Sequence, residues 1–408
     1  MSNWKEYKLG DISDYINRGV TPSYSEDGVI VINQKCVRDG QVKYEQSRHT
    51  NPEKKKILEE KYLKSFDILI NSTGQGTLGR VGQVKEITIP TTVDSHLTIV
   101  RIKKNFNPVF LGYVLKSKQS IIEDLAEGTT GQTELSRYKV AALPLLLPEL
   151  PTQTVIAEIL SSLDDKIELN NKINKELENL AQILFKQWFI DFEFPNENGE
   201  PYKSSGGKMV ESELGMIPKG WGFGSIYEVS NVIYGAPFKS KLFNQEGKGF
   251  PLIRIRDMKT FQPQNWTEEV LPKGTKIVAG DLIVGMDAEF RPIFWLGQPA
   301  WLNQRLCYFN PKKGFSKLFV REIIRPQLAF FENSSVGTTV IHLGKADIDT
   351  FKSIIPDKII MGLFEEISNS IFEKIINNSK EKNQLTYLRD LLIKKLISGE
   401  LEINEINN

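Results

Sequence analysis

The feature that most constrains this chain is an internal duplication. Trp4 returns as Trp221, 217 positions later, "FDILI" from Phe66 returns as "GDLIV" 214 positions later, and Pro148 returns as Pro356 after 208. The order of the matched segments never changes. The offset between matched residues falls from 217 to 208 along the chain, as expected when loops differ in length between two copies. The sequence therefore predicts two copies of a unit of about 200 residues, which is too long for a solenoid repeat.

Further matches fill the interval between these points. "DSHLTIV" from Asp94 aligns with "NQRLCYF" from Asn303, and "GTT" from Gly128 aligns with "GTT" from Gly337. Gly82-Gln83 is also predicted to correspond to Gly297-Gln298. Equivalent segments of the two copies are expected to occupy equivalent places in the fold.

Each copy begins with a β-rich part and ends with a helical part. Short runs such as "GVIVINQK" and "LTIVRI", separated by Gly, Asn and Pro, predict a mixed α+β globular domain. From Thr152 to about Phe192 the chain has no Gly or Pro, and apolar residues recur at spacings of three and four. That spacing is typical of a coiled-coil seam. The predicted seam consists of Ile156, Leu160, Leu163, Ile167, Ile173, Leu177, Leu180 and Leu184 in the first helix, and Ile371, Ile375, Leu385, Leu388, Leu392 and Leu396 in the second.

The predicted fold class is α+β, with two similar mixed α/β globular domains separated by two long helices. The helices are expected to pack as an antiparallel coiled coil, with the two copies related by a pseudo-twofold axis. Asn170 and Asn378 match at an offset of 208, and each either fixes the register from a buried position or lies at a solvated edge. The predicted domains are residues 1–150, a helical repeat at 151–195, a linker at 196–217, a second globular domain at 218–357, and a second helical repeat at 358–408.

The charge distribution alternates along the chain. The net charge is +1, but residues 1–145 carry +4, residues 218–357 carry +5, and the helical and linker regions carry the balance of −8. This pattern arises by chance or indicates that the globular domains face an anionic polymer. The two cysteines match no metal or redox spacing, and the amino terminus has no apolar signal core, so a cytoplasmic protein without a membrane partner is expected.

On these features the chain resembles the specificity subunit of a type I restriction–modification enzyme. The resemblance rests on the paired "GTT" segments that lead through "LP" or "IP" into a long helix, and on "GMDAEFRPIFWLGQPAWLNQRLCYF" in the second domain. The first domain has "NSTGQGTLGRVGQV" in place of part of that string. Because recognition domains of this family vary with their target, the divergence implies two different half-sites.

The resemblance implies a function and a set of partners. Each domain would read one half of a bipartite, asymmetric site in double-stranded DNA, and the helices would set the spacer. The helices would also dock two methyltransferase subunits, which bind S-adenosylmethionine, and restriction subunits, which use ATP and Mg. This chain itself would bind no cofactor or metal and would not be catalytic. Two alternatives stay open: an interaction protein that serves protein partners only, and a diverged standalone DNA methyltransferase or nuclease.

Candidate DNA-binding residues follow from the chemistry of base recognition, in which Arg suits guanine and Asn or Gln suits adenine, while Lys, Ser and Thr more often contact phosphates. In the first domain they are Gln34, Lys35, Asn71, Ser72, Thr73, Gln75, Thr77, Arg80, His96, Thr129, Thr130 and Gln132. In the second they are Arg254, Arg256, Asp287, Glu289, Arg291, Asn303, Gln304, Arg305, Thr338, Thr339 and His342. Arg254 and Arg256 alternate in "LIRIRDM", which predicts that both lie on one face of a strand.

Two further motifs have competing interpretations. "GQGTLG" from Gly74 satisfies the dinucleotide-binding pattern, but strand-like sequence on both sides favours a glycine-rich hairpin close to DNA or a plain surface turn. The aromatics of "FKQWFIDFEFP", namely Trp188, Phe189 and Phe192, are candidates for binding a partner subunit. Packing against the neighbouring globular domain is the alternative.

Overall fold

The computed structural model describes residues 4–128, 133–213, 215–287, 289–333 and 342–401. The chain forms two compact units. Unit 1 comprises Met1–Ile167 and Gln384–Asn408, and unit 2 comprises Glu168–Asn383. Each unit therefore contains one β-rich domain together with part of each long helix.

Unit 1 is built on a six-stranded and a four-stranded sheet. Its strands are β1 (Lys5–Lys8), β2 (Ser13–Arg18), β3 (Tyr24–Ser25), β4 (Val29–Ile32), β5 (Val37–Arg38), β6 (Gly40–Val42), β7 (Arg48–Thr50), β8 (Ile68–Asn71), β9 (Val81–Gln83), β10 (Thr91–Val93), β11 (Leu97–Ile102) and β12 (Pro144–Leu147). The strand orders are β2-β11-β8-β9-β6-β5 and β10-β4-β7-β3, and β1 pairs with β12. Helices α1 (Pro108–Ser117), α2 (Gln119–Asp124) and α3 (Arg137–Ala141) complete this domain.

Unit 2 repeats this plan after a short hairpin. Its strands are β13 (Met209–Ser212), β14 (Gly215–Pro218), β15 (Gly222–Ser225), β16 (Ser230–Tyr234), β17 (Phe243–Asn244), β18 (Phe250–Ile253), β19 (Asn265–Thr267), β20 (Lys276–Ile277), β21 (Leu282–Gly285), β22 (Pro292–Phe294), β23 (Ala300–Leu302), β24 (Leu306–Pro311) and β25 (Lys352–Ile355). The sheet orders are β16-β24-β21-β22 and β17-β19-β18-β23-β20, and β15 pairs with β25. The helices are α5 (Lys317–Asn333) and α6 (Lys345–Ile348), numbered after the first long helix, α4.

The two β-rich domains share one topology. The order β2-β11-β8-β9 matches β16-β24-β21-β22, and the parallel pairing of β4 with β10 is matched by that of β18 with β23. Gly19 and Gly235 follow equivalent strands, and a side chain at either glycine would collide with backbone carbonyl oxygens of the neighbouring strand. The predicted duplication is thus present in the backbone as well as in the sequence.

One predicted correspondence between the copies is wrong. Leu69 of β8 lies opposite Gly82, and Ile283 of β21 lies opposite Ile293. Since Leu69 and Ile283 are equivalent, Gly82 corresponds to Ile293, not to Gly297. The shared dipeptide "GQ" misled the comparison because the loop between these strands is shorter in the second domain.

The two long helices are α4 (Leu150–Phe189) and α7 (Lys358–Ile397), each of 40 residues. Within unit 2 they run antiparallel, because Asn170 bonds Glu381 while Asn174, further along α4, bonds Asn378, further back along α7. Asn170 and Asn378 are 1% and 4% exposed, so the buried alternative is the one observed. A polar layer therefore lies inside an otherwise apolar seam, where buried asparagines restrict the register.

The predicted seam is right at some positions and wrong at two. Ile156, Leu160, Ile371 and Ile375 are buried, as the spacing predicts. Leu180 and its counterpart Leu388 are instead 49% and 42% exposed. A strict period of 3.5 residues drifts away from the 3.6 residues of a straight helix, and beside Leu180 it is Ala181 that turns inward.

Two features are absent from the described residues. No helix among them is long and apolar enough to cross a membrane. Within the same residues, no group of three or more His, Cys, Asp or Glu side chains is arranged to hold a metal ion.

Candidate nucleic-acid interface

Three separate segments of the first domain meet at the end of β8. The backbone N–H of Ser72 donates to the carbonyl of His96 at 2.8 Å, and the carbonyl of Ser72 accepts from Leu135 at 2.8 Å. Beside these bonds, Thr73 Oγ1 lies 2.6 Å from His96 Nδ1. The loop after β8, the turn before β11 and the segment before α3 are thereby fixed together, and the exposed ring of His96 lies at their junction.

The second domain builds the same junction from equivalent segments. The N–H of Met286 donates to the carbonyl of Arg305 at 2.9 Å, and the carbonyl of Met286 accepts from Leu343 at 2.8 Å. Here the side chains form a charged cluster, with His342 Nδ1 2.8 Å from Asp287 Oδ1 and 3.2 Å from an Arg305 Nη1. Arg305 Nε lies 3.5 Å from Asp287 Oδ2.

The two junctions have the same backbone bonds and different side chains. By the strand alignment, Thr73 corresponds to Asp287, His96 to Arg305, and Glu134 to His342. A constant backbone that presents variable polar side chains is an arrangement suited to reading variable sequences, because the scaffold holds each reading position while its side chain sets the hydrogen-bonding pattern.

The structure assigns Asn71 and Ser72 to the inside of the loop. Both are fully buried. Asn71 Nδ2 donates to the carbonyls of Gln34 and Thr77, each at 3.0 Å, and Ser72 Oγ lies 2.6 Å from Thr98 Oγ1. These two side chains hold the 72–80 loop in shape, so the expectation that they face a ligand is corrected. Asn303 is likewise buried, at 8% exposure.

The glycine-rich motif forms a loop between two strands. Gly74, Gly76 and Gly79 all have positive φ, which only glycine adopts without strain, and β9 begins directly afterwards at Val81. Arg80 is held at the base of this loop by a 2.8 Å hydrogen bond to the carbonyl of Gly76. No helix follows the motif, so it lacks the strand-turn-helix context of a dinucleotide site.

Arg254 and Arg256 do not share a strand face, contrary to the prediction. Strand β18 ends at Ile253, and a 3₁₀ turn covers Ile255–Lys259. The turn forms because the buried Asp257 accepts the N–H of Arg254 at 2.8 Å. Both arginines are exposed from this turn.

The same turn is tied to the loop after β21. Lys259 Nζ lies 3.1 Å from Glu289 Oε1, and this hydrogen bond lowers the pKa of the Glu289 carboxyl. Glu289 is therefore paired with a cation of its own domain, which leaves the neighbouring Arg291 exposed as the basic group of the loop.

The remaining candidates differ in how the structure presents them. Exposed positions are occupied by Lys35, Gln75 and Gln304, while Gln34 and Thr77 are half-buried. Five candidates lie outside the described residues, namely Thr129, Thr130, Gln132, Thr338 and Thr339. DNA contact by the exposed and half-buried candidates stays a prediction.

Two residues at the first junction, Arg18 and Glu134, are not among the candidates predicted from the sequence. Arg18 donates from Nη2 to the carbonyl of Leu135 at 3.0 Å, and its other amino group lies 2.6 Å from Glu134 Oε1. Glu134 precedes its counterpart His342 by 208 positions, so the repeat offset itself contained the signal. Next to them, Arg137 bonds the hydroxyl of Tyr138, which lowers the pKa of that exposed phenol.

The aromatics proposed to bind a partner lie mainly in the core of unit 2. Trp188 and Phe189 are 5% and 1% exposed. The Phe189 ring centroid is 4.7 Å from that of Phe364 and 4.9 Å from that of Phe319. These contacts account for both side chains by packing, so the expected partner contact is corrected for them. Phe192 is half-buried and packs edge-on against Trp221.

Comparison with known proteins identifies the family. The protein-family model described as "Type I restriction modification DNA specificity domain" matches this sequence twice, at residues 1–179 and 218–387. The HindI specificity subunit of Haemophilus influenzae is 27% identical over 98% of this chain and its own full length. The MjaIX specificity subunit of Methanocaldococcus jannaschii is 26% identical over 82% of this chain and 78% of that protein.

A solved structure supports the fold. The specificity subunit of a type I restriction-modification system from M. genitalium superposes with a TM-score of 0.57 at 17% identity, covering 97% of this chain and 96% of that one. The predicted fold, two repeated domains with a pair of long helices, is therefore confirmed. The matched relatives are specificity subunits, not standalone methyltransferases or nucleases. The chain belongs to the type I restriction–modification specificity family and is a non-catalytic specificity subunit.

Proposed function

We propose that each β-rich domain of this specificity subunit reads one half of a bipartite, asymmetric target in double-stranded DNA. The observation that carries the proposal is the pair of junctions with one backbone and different side chains. Two domains that read identical half-sites would be expected to have the same residues at equivalent positions. Here Thr73, His96 and Glu134 of the first domain correspond to Asp287, Arg305 and His342 of the second. The two half-sites therefore differ.

In this proposal residues 1–150 and 218–357 are the recognition domains, and residues 151–195 and 358–408 are spacer helices. Residues 196–217 link the first helix to the second domain. Each helix of 40 residues spans roughly 60 Å. A pair of helices held in one register by buried asparagines gives a fixed separation, and hence a fixed gap between the half-sites.

The long helices also offer a surface for partner subunits. Large apolar side chains are exposed at Leu180 and Ile183 of α4 and at Leu363 of α7, at 49%, 63% and 42%. Spacings of three and four keep such residues on one face of a helix. Next to Leu363, Phe364 of α7 packs against Phe189 of α4, so the two helices that carry these residues lie side by side in unit 2. We call these three residues of unit 2 the second apolar stripe.

Unit 1 carries the same surface, displaced by 208 positions. Leu388, Leu391 and Val155 are the counterparts of Leu180, Ile183 and Leu363, and they are 42%, 40% and 36% exposed. We call them the first apolar stripe. Exposed apolar groups that recur in equivalent places indicate equivalent binding sites, so we propose that each stripe docks one methyltransferase subunit, two in all.

The complete assembly would act in the cytoplasm. The methyltransferase subunits would supply S-adenosylmethionine-dependent methylation of adenine, and restriction subunits would supply ATP- and Mg-dependent translocation and cleavage. The weak net charge of this chain is compatible with that division of labour, because partners that close around the duplex can neutralise much of the phosphate charge.

The test is to co-express the chain with its methyltransferase subunit in a host without adenine methylation, and to map modified adenines across the genome. The expected result is methylation at one motif with two short, different halves around an undefined gap of fixed length. A soluble, S-adenosylmethionine-binding complex that methylates no motif, or a motif without two halves, would overturn the proposal. Omitting this chain gives the matched control, in which no motif is expected.

A further inference from the structure

We infer that Arg305 reads a guanine in the half-site of the second domain, and that His96 occupies the equivalent reading position in the first. This inference rests on the proposed function and assigns individual side chains to it. His96 lies in the turn directly before β11, and Arg305 lies in the turn directly before β24. Both side chains are exposed there.

The backbone under Arg305 is fixed from both sides. Its carbonyl accepts from Met286 at 2.9 Å, and the N–H of Leu306 donates to Asn303 across the turn at 3.0 Å. Asn303 is buried and forms a parallel bridge with Ala236. A reading side chain on such a turn is presented from a rigid base, which a specificity contact requires.

The guanidinium of Arg305 is held by two neighbours of its own domain. Its Nε lies 3.5 Å from Asp287 Oδ2, and one Nη lies 3.2 Å from His342 Nδ1. The side chain of Arg305 is nevertheless 54% exposed. A guanidinium has five N–H donors. When Arg305 is held at Nε by Asp287, N–H groups of its two Nη atoms stay available for the two acceptors of guanine in the major groove, O6 and N7.

Asp287 and His342 act here as positioning residues. Their own bond of 2.8 Å joins the loop after β21 to the segment at His342. Because Nδ1 can either donate to a carboxylate or accept from a guanidinium, it makes one of these two bonds at a time. In either arrangement Arg305 keeps at least one partner, and its rotamer freedom is reduced before DNA binds, which lowers the entropic cost of the contact.

The first domain presents a different hydrogen-bonding group at the same place. The N–H of His96 donates to the buried Asp94 at 2.9 Å, which fixes its turn, and Thr73 Oγ1 engages the ring at Nδ1. Nε2 is then the ring nitrogen that can reach a base. A single ring nitrogen cannot make the two-pronged contact of an arginine, so the two domains discriminate different bases at equivalent positions.

The experiment uses the full chain, co-expressed with its methyltransferase subunit, and reads the methylated motif genome-wide. In Arg305→Gln we expect one guanine of one half-site to change to adenine, because a carboxamide pairs with adenine N6 and N7. Discrimination against adenine at that position should fall by roughly tenfold or more. The other half-site and the spacer should stay as in the wild type.

Further variants distinguish the residues that read a base, Arg305 and His96, from the residues that position Arg305. Arg305→Lys keeps the charge and loses the fork, so it should broaden the same position without moving it to adenine. His96→Gln should alter only the opposite half-site, which makes each variant the control for the other. Asp287→Asn and His342→Gln should weaken methylation while guanine stays the preferred base.

Different results would contradict the proposed function and the assignment of Arg305. If the wild-type chain gives no bipartite motif, the proposed function is wrong. If the wild type gives one but neither Arg305→Gln nor Arg305→Lys changes a base within one half-site, or both halves change together, the assignment of Arg305 is wrong. If Arg305→Gln is insoluble, the Arg305→Lys result decides, because the lysine keeps the alkyl chain and charge that the fold accommodates at this exposed site.

Discussion

Arg389 of the second long helix donates a hydrogen bond from Nη1 to Asp164 Oδ1 of the first long helix at 2.7 Å. The other carboxylate oxygen of Asp164 accepts from the hydroxyl of Tyr113 at 2.6 Å. One carboxylate thereby joins both long helices of unit 1 to α1 of its β-rich domain. The counterparts of Asp164 and Arg389 in unit 2 are Phe372 and Ala181, which are buried in an apolar core.

Removing this carboxylate is expected to destabilise unit 1. Asp164→Ala leaves Arg389 and Tyr113 without their shared partner, and both Asp164 and Arg389 are less than a fifth exposed. We expect the free energy of unfolding to fall by about 2 to 4 kcal/mol, measured by urea titration. The neighbouring Asp165 is 69% exposed in its ion pair, so Asp165→Ala should change stability by less than about 0.5 kcal/mol. Equal effects of the two variants would contradict the assigned role.

The polar layer between the helices is expected to show strong coupling. Asn378 Nδ2 donates to Asn174 Oδ1 at 2.9 Å, and Asn174 Nδ2 donates to Ser379 Oγ at 3.0 Å. Asn378→Leu should cost about 1 to 3 kcal/mol, because it leaves the side-chain oxygen of the half-buried Asn174 without its partner. Adding Asn174→Leu should recover part of that loss, and a double-mutant cycle measures the coupling. Asn377→Leu, at an exposed position, is the control, and strict additivity of the pair would contradict the contact.

The sequence predicted the architecture more closely than the site. The helix predicted from Thr152 to about Phe192 is observed at Leu150–Phe189, because a stretch without Gly or Pro that has apolar spacings of three and four leaves few alternatives. The strands are recognisable as short β-rich runs separated by Gly, Asn and Pro, and their repetition makes the shared topology detectable. For these helices and strands, the local sequence pattern predicts the same elements that are present in the folded chain.

The site was less predictable because it is made of segments that are far apart in sequence. Asn71 looks like a reading residue beside "STGQG", yet it is buried and its Nδ2 donates to the carbonyls of Gln34 and Thr77. Nothing local distinguishes such a supporting side chain from an exposed one. The offsets of 208 and 214 already pair Glu134 with His342 and Thr73 with Asp287, but the hydrogen bonds that bring these segments together at one junction cannot be read from the sequence.

Charged substitutions in the apolar stripes are expected to remove partner subunits one at a time. Ile183→Asp, in the second apolar stripe, and Leu391→Asp, in the first, each place a carboxylate on an exposed apolar patch. Each single variant should bind one methyltransferase subunit and the double variant none, as counted by native mass spectrometry. Gln182→Asp adds the same charge next to Ile183 on an exposed position and should still bind two. Retention of both subunits by the double variant would contradict the proposed docking surface.

Lengthening both helices together is expected to change the gap in the DNA target and neither half-site. Seven residues inserted after Lys172 and seven after Lys380 leave the Asn170–Glu381 contact on one side of the insertion and the Asn174–Asn378 contact on the other. One heptad preserves the apolar seam and adds about 10 Å, which corresponds to about three base pairs of DNA.

The methylated motif should therefore keep both halves and gain about three undefined positions, since a base pair rises 3.4 Å along the duplex axis. The same seven residues inserted at Gly199, in a turn of the linker with no neighbouring atoms in reach of an added side chain, should leave the gap as it was. Insertion into the first helix alone should abolish methylation, because one helix is then out of step with its partner. An unchanged gap after the paired insertion would show that something other than the helices sets the spacing.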